Sequence, residues 1–384
     1  MNPLYFDHGA TTPLRDEVRT IMANTWEETF ANPGSLHDDG QKAADRVNAA
    51  RRLAAQSLGA SSREIIFTSG GTESNNLAIL GAARYLRNRG RHIVTTAIEH
   101  PSVLQTCHSL EAEGFSVTVL PVDRHGLITP KQVESALTPD TILVSVMAAN
   151  NEVGTIQPIA AIGQLLRARN ILFHTDAVQA VGKIPFTVDD WGVDLLSVGG
   201  HKINGPKGTG LLYVRKGVRL TPLLYGGGQE RGLRPGTLNT AGIVGLSVAL
   251  QLAVAEVESI RKRLEQLRNH LWNRIQTEIG GVTLNGHPQQ RLPHNLNISF
   301  DRVEGQAVML ELNRYGIAVS SGSACSAGKH APSHVLSAMG RSAEEAYQSL
   351  RITLGWETQL EDVDRLVKCL EEVIGYLRSL VPGE

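Results

Sequence analysis

Residues 171–214 read ILFHTDAVQAVGKIPFTVDDWGVDLLSVGGHKINGPKGTGLLYV. Three short apolar runs, ILFHT (171–175), DLLSV (194–198) and GTGLLYV (208–214), are separated by polar, glycine-containing turns. Runs of this length read as buried strands. Toward the N-terminus the rhythm recurs in EIIFT (64–68), HIVTT (92–96), FSVTVL (115–120) and TILVSVM (141–147), with helical stretches between. Such alternation predicts an α/β fold, with crossover units on a mostly parallel sheet. Most runs end in polar tails, namely SGGTESNN, AIEHP, AANNEVG, DAVQ and GGHKINGPKG. Ligands of open α/β sheets collect beyond the carboxyl ends of the strands, so the five tails are expected to meet at one site.

Toward the C-terminus, residues 242–278 read as one long helix bridging two domains, with apolar residues giving way to charged ones along its length. NLNISF (295–300), SLRITLGW (349–356) and a final amphipathic helix follow, the pattern of a smaller α+β unit. The expected division is a large domain over 15–250 and a small one from 1–14 and 251–384, touching across a cleft. With 37 Lys+Arg against 38 Asp+Glu the net charge is −1. That balance offers no basic excess for a phosphate backbone or an anionic membrane, so neither nucleic acid nor membrane is an expected partner. No apolar run reaches the roughly 18 residues of a spanning helix, and the opening MNPLYFDHGATTP has neither a basic nor an apolar leader segment. A cytoplasmic location is expected.

The three cysteines, 107, 325 and 369, form no CxxC pair, so neither a disulfide framework nor a structural metal site is expected. Cys107 falls on one helical face with Val103, Leu104 and Leu110, between Pro101 as a helix start and Gly114 as a stop. Cys369 lies beside Leu366, Leu370 and Val373 in the last helical pattern. Both read as packed thiols. Cys325 sits in SSGSACSAG (320–328), whose small residues offer nothing to bury it. An exposed thiol there calls for a chemical reason.

In SGGTESNN, Gly70 and Gly71 let the backbone approach an anion while free amides and the Thr72 hydroxyl point at it, although a plain Thr-capped turn has the same spacing. Neither a GxxxxGK[ST] loop nor a strand-associated GxGxxG is present, so one phosphate fits better than a nucleotide. Asp176 ends a buried strand with a charge that needs a cation or a donor, for which a protonated pyridine nitrogen or a helix start would both serve. His100 could lie on a ring or move protons, or be an ordinary loop histidine. Lys202, with Lys207 and Lys183 as rivals, could form a Schiff base if desolvated beside other cations.

Taken in order, DHGATTP, ANPGSLH, SGGTESNN, EHPSV, AANNEVGTIQP, HTDAVQAVGK, GGHKINGPKGTGLLYVR, GGGQERGLRPGTLN, SSGSACS and LRITLG resemble the cysteine desulfurases, in the class V branch of the fold-type I pyridoxal-phosphate enzymes. The resemblance spans nearly the whole chain. It implies that pyridoxal 5'-phosphate is the cofactor and that Lys202 forms the Schiff base to it. It further implies His100 stacked on the ring, Asp176 paired with the ring nitrogen and Gln179 bonded to the ring hydroxyl. Gly71, Thr72 and His201 would hold the phosphate, joined by Thr237 from the second subunit of a homodimer. Asn151 and Arg351 would hold the carboxylate of L-cysteine, and Cys325 would accept its sulfur as a persulfide, with alanine released. His100 would shuttle the thiol proton. The persulfide would pass to an acceptor protein for iron–sulfur cluster or thio-cofactor synthesis. The sequence departs from the family at Gly199, where a phosphate-binding serine is common. A selenocysteine or cystine lyase or another class V aminotransferase would share the cofactor site without needing Cys325, and a non-catalytic iron–sulfur scaffold would need its cysteines as ligands.

Overall fold

The computed structural model describes residues 3–321 and 331–380. Cys325 lies outside them. The strands are β1 (Leu4–Tyr5), β2 (Ile65–Thr68), β3 (His92–Thr96), β4 (Ser116–Leu120), β5 (Thr141–Ser145), β6 (Leu172–Asp176), β7 (Leu195–Gly199), β8 (Gly210–Val214), β9 (Val282–Asn285), β10 (Asn295–Phe300), β11 (Ile317–Ala318), β12 (Ser320–Ser321) and β13 (Ser349–Thr353). Seven of them form one sheet in the order β2-β8-β7-β6-β5-β3-β4. Its interior pairs from β7 to β4 are parallel, while β8 runs antiparallel to both neighbours. These are the seven runs read from the sequence, within one to two residues at each end.

Both faces of this sheet are covered, as continuous apolar strands require. Ile65 and Phe67 of β2 join one core with Val47, Ala54 and Leu58 of helix Asp38–Leu58, while Ile66 joins another with Leu77 and Ala82 of helix Gly71–Leu86. That reversal follows from the two-residue period of a strand. Cys107 belongs to the second core at 1% exposure, and burial pushes its thiol up to about 12. Cys369 is half-buried at the edge of a separate core.

That separate core lies around the antiparallel sheet β12-β13-β10-β9, where Leu296, Ile298, Leu350 and Ile352 meet Leu366, Leu370 and Val373 of helix Leu360–Ser379. Phe6 packs into it, and β1 pairs in parallel with β11. The N-terminal segment then crosses to the large sheet: Thr12 Oγ1 donates to the His201 carbonyl at 2.9 Å and accepts from the Asn204 amide at 2.8 Å.

The expected single helix over 242–278 is instead two, Thr240–Ala255 and Val257–Glu278, bent by 69° at Glu256. Glu256 holds the buried Arg15 guanidinium through both carboxylate oxygens, at 2.8 and 2.5 Å. The first helix is buried on nearly every side and the second keeps a charged face, so each follows its own surroundings. Among the described residues no single helix is long and apolar enough to cross a membrane.

Candidate active site

Beyond the carboxyl end of β7 the chain turns through Gly200–Lys202, and Lys202 Nζ donates to the carbonyls of Gly9 at 2.5 Å and Ala10 at 2.7 Å. Gln179 Nε2 donates to the same Gly9 carbonyl at 3.1 Å. The residue beside the lysine, His201, faces Thr11 Oγ1 at 3.2 Å. Burial, with Lys202 and Lys207 nearby, lowers the His201 pKa to about 4, which leaves a neutral ring at pH 7. The three candidate lysines separate here. Lys202 is the one whose charge reaches His100, together with that of Asp176. Lys207 is exposed, and Lys183, lowered to about 8 by burial, acts on His8 and His294.

Asp176, the last residue of β6, accepts from Asn75 Nδ2 at 2.7 Å and from the Val178 amide at 3.0 Å. Asn75 Nδ2 also donates to Ser102 Oγ at 2.8 Å, and Ser102 Oγ lies 2.7 Å from His100 Nδ1. A relay of Asp176, Asn75, Ser102 and His100 thus links the tails of β6 and β3 through the helix that follows β2. Neither Asn75 nor Ser102 was singled out from the sequence, although both lie inside the motifs quoted from it.

The relay fixes the state of His100. His100 caps helix Pro101–Glu111, and its Nδ1 accepts from the Ser102 amide at 3.1 Å. A backbone N–H can only donate, so Nδ1 carries the lone pair and Nε2 the proton of the neutral ring. Crowding by cleft atoms lowers its pKa although the ring keeps a solvent-facing edge; Asp176 opposes the fall, while Lys202 and His334 add to it. A neutral His100 is therefore a hydrogen-bond donor at Nε2.

The tail of β2 opens helix Gly71–Leu86 with no side-chain cap, leaving its first amides without intrahelical partners. Gly70 has φ +155, which side-chain-bearing residues rarely adopt, and the space where its Cβ would sit is open. A Cβ on Gly71 would lie 2.7 Å from Val178 Cγ2, so a side chain there would have to displace Val178. Thr72 follows with an exposed side chain, and Thr237 is exposed on the loop before Thr240. A Cβ on Gly199 would meet Val178 Cγ1 at 3.4 Å and the Gly71 nitrogen at 3.6 Å, ordinary contacts, whereas at Gly200 it would lie 2.7 Å from Thr209 Oγ1 and 2.9 Å from the Pro206 carbonyl. The missing serine would fit at Gly199 alone.

Arg351 lies mid-strand in β13, 4% exposed. Its guanidinium pairs with Asp7 at 2.9 Å and donates to the Asn151 carbonyl at 3.2 Å. Asn151 follows β5, so two expected carboxylate-binding residues do meet, with Asp7 as a third member that sequence reading missed. Among the described residues Arg351 Nε and Asn75 Oδ1 are buried without a partner. An unpartnered buried donor at Arg351, uncapped helix amides beside open space, a cleft lysine and a strand-end carboxylate fit a phosphorylated pyridine aldehyde and an amino-acid carboxylate.

The aminotransferase class-V family model matches residues 4–366. The cysteine desulfurase IscS of Dictyoglomus turgidum is 48% identical over 99% of this chain and 96% of its own length. The cysteine desulfurase IscS of Methanosarcina thermophila is likewise 48% identical, over 99% and 94%. A solved NifS-like protein superposes with a TM-score of 0.92 at 40% identity, covering 98% of this chain and all of that one. A structure described as SspA in complex with cysteine has a TM-score of 0.81 at 41% identity, covering 91% of this chain and 98% of that one.

Proposed function

The chain belongs to the aminotransferase class-V family, and from that membership we propose that it is a pyridoxal-phosphate-dependent cysteine desulfurase, converting L-cysteine to L-alanine and passing the sulfur on as a persulfide on Cys325. What carries the reading is likeness along the whole chain to cysteine desulfurases. The meeting of Lys202, His100 and Asp176 in one electrostatic field supports it.

Pyridoxal phosphate, when bound, supplies an electrophilic carbon for the substrate amine and a ring that accepts electrons as bonds at the substrate carbons break. Lys202 would anchor it and afterwards take the Cα proton, the carbonyls of Gly9 and Ala10 orienting Nζ beforehand. Asp176, its position fixed by Asn75 and the Val178 amide, would pair with the ring nitrogen. Gln179 would bond the ring hydroxyl. The amide of Gly71, the Thr72 hydroxyl and His201 would hold the phosphate. In a homodimer, Thr237 of the partner subunit adds a further phosphate contact.

Arg351 and Asn151 bind the substrate carboxylate, for which a guanidinium is suited by its paired donors. His100 donates from Nε2 toward the reacting sulfur. The Cys325 thiolate attacks that sulfur, the carbon–sulfur bond of cysteine breaks, and the carbon takes up a proton: L-cysteine and the Cys325 thiol become L-alanine and the Cys325 persulfide. An acceptor protein, in iron–sulfur cluster or thio-cofactor synthesis, then takes the sulfur. Unpaired cysteines suit a reducing cytoplasm for this work. The test is amino-acid profiling of the purified holoprotein. L-cysteine should give alanine and sulfide, and Cys325→Ser should keep the visible absorbance yet release no sulfide. Full sulfide release by Cys325→Ser, or turnover of amino acids other than cysteine in its place, would contradict the reading.

A further inference from the structure

Glu73 and Arg234 lie in two of the quoted motifs, SGGTESNN and GGGQERGLRPGTLN, and take no part in the proposed chemistry. Glu73 is the third residue of helix Gly71–Leu86, and its Oε2 accepts from the Ser69 amide at 2.7 Å. The carboxylate thus reaches back over the turn whose next amides open the helix uncapped. Its Oε1 accepts from Arg234 Nε at 2.9 Å, across 161 residues of chain. Arg234 stands on the loop after Gln229–Gly232, and that loop is itself closed by the Gly236 amide, which donates to Gln229 Oε1 at 3.1 Å. Both side chains of the pair are half-buried.

The pair answers an electrostatic problem. A carboxylate in a first helical turn is stabilised by the same amides and dipole that would draw a phosphate, so two anions meet at one end of one helix. Half-buried like charges repel more strongly than they would in water. Burial pushes the Glu73 carboxyl up, but the bonds from Arg234 and Ser69 outweigh it and keep the group ionised at neutral pH. Its charge therefore persists beside the amides of Gly71 and Thr72, and Arg234 is the cation that acts on it. We propose that Arg234 is a positioning residue for the phosphate site: it neutralises Glu73, so that the carboxylate can order the Ser69–Thr72 turn without repelling the phosphate. This role deepens the desulfurase reading and rests on its phosphate site.

The experiment measures binding to the cofactor-free protein rather than turnover. Pyridoxal phosphate, and pyridoxal as the same ring and aldehyde without the phosphate, are titrated by absorbance into wild type and variants. Inorganic phosphate is tested beside them for its protection against thermal unfolding. Arg234→Met keeps an apolar stem and removes the charge; it should bind pyridoxal phosphate about tenfold more weakly and leave pyridoxal unchanged. Arg234→Lys, which keeps the charge, should stay close to wild type. Adding Glu73→Gln to Arg234→Met should restore most of the loss, because glutamine still accepts from the Ser69 amide but carries no charge. Protection by inorganic phosphate should fall and recover in the same order. Equal loss of both ligands in Arg234→Met would mean that the residue merely holds the fold, and a double variant no better than the single one would mean that it acts through the loop bearing Thr237; either would overturn the proposal. Wild type that binds pyridoxal phosphate no better than pyridoxal would bring down the phosphate site and the desulfurase reading with it. A preference for the phosphate that survives intact in Arg234→Met would bring down the role of Arg234 alone.

Discussion

The seven-stranded sheet supplies Asp176, Lys202 and the tails bearing His100 and Asn151 from beyond the ends of its strands, whereas the four-stranded antiparallel sheet supplies Arg351 from the middle of one. Parallel strand ends leave backbone and side-chain groups free to gather around a ligand. A charge in mid-strand is buried by its neighbours and needs a counter-ion, here Asp7. On the proposed function the first region would hold the cofactor and the second would orient the substrate, so their variants should fail in different ways.

The largest effect belongs to the first region: Lys202→Ala should abolish the visible absorbance and lower turnover by at least about 10³-fold. A coloured, active variant would erase the distinction. Beneath the same region, Glu230 is buried, pairs with Arg51 and accepts from the Phe67 amide of β2 at 2.7 Å. Glu230→Ala leaves that amide unmet and takes the counter-ion from a guanidinium that keeps only its bond to the Ile65 carbonyl at 2.9 Å, and should cost about 3 kcal/mol in urea unfolding. A loss below about 1 kcal/mol would show that water replaces the carboxylate.

For the second region, Arg351→Lys keeps the charge but loses the fork. We expect KM for L-cysteine to rise about tenfold with the absorbance unchanged. A spectral change instead would mean that Arg351 serves the cofactor. A gentler probe of the first region is Gly199→Ser, which fits sterically and should slow cofactor release a few-fold, by about 1 kcal/mol. Unaltered release would show that no contact to the phosphate is gained there. Gly200→Ser, by contrast, should destabilise the protein, because Thr209 and Pro206 occupy the space.

The smallest effect is a slope. Burial pushes the Glu99 carboxyl up to about 8, opposed by bonds from the Met147 amide and Thr96, with Asp176 adding to the rise. Between about 4.3, the value in an unfolded chain, and about 8 the folded state keeps a proton that the unfolded state has lost. Stability therefore falls as pH rises across that window. Glu99→Gln mimics the protonated form and should flatten the dependence of Tm on pH. An unchanged slope would assign it to other groups.

The seven strands could be read from the sequence because apolar runs bounded by turn residues carry their own signal. The break at Glu256 could not, since the helical pattern continues through it and its partner Arg15 lies far away in the chain. Roles for Lys202 and Asp176 came from motif order, while the relay through Asn75 and Ser102 depends on pairings 101 and 27 residues apart. The sequence suggested His100 as a proton shuttle. Its use of Nδ1 as a helix cap is a matter of geometry that no local run of residues announces. Asp7 stood inside a quoted motif, but its pairing with Arg351 spans 344 residues and leaves no local trace.

The account rests on sulfur moving from L-cysteine to one thiol under the control of one lysine, and mass measurement after a single turnover tests it most directly. With holoprotein in excess over L-cysteine and no reductant, the peptide containing Cys325 should gain the mass of one sulfur atom for each alanine released, and Lys202→Ala should show neither product. Alanine without added sulfur on Cys325, or added sulfur on Cys107 or Cys369 instead, would contradict it.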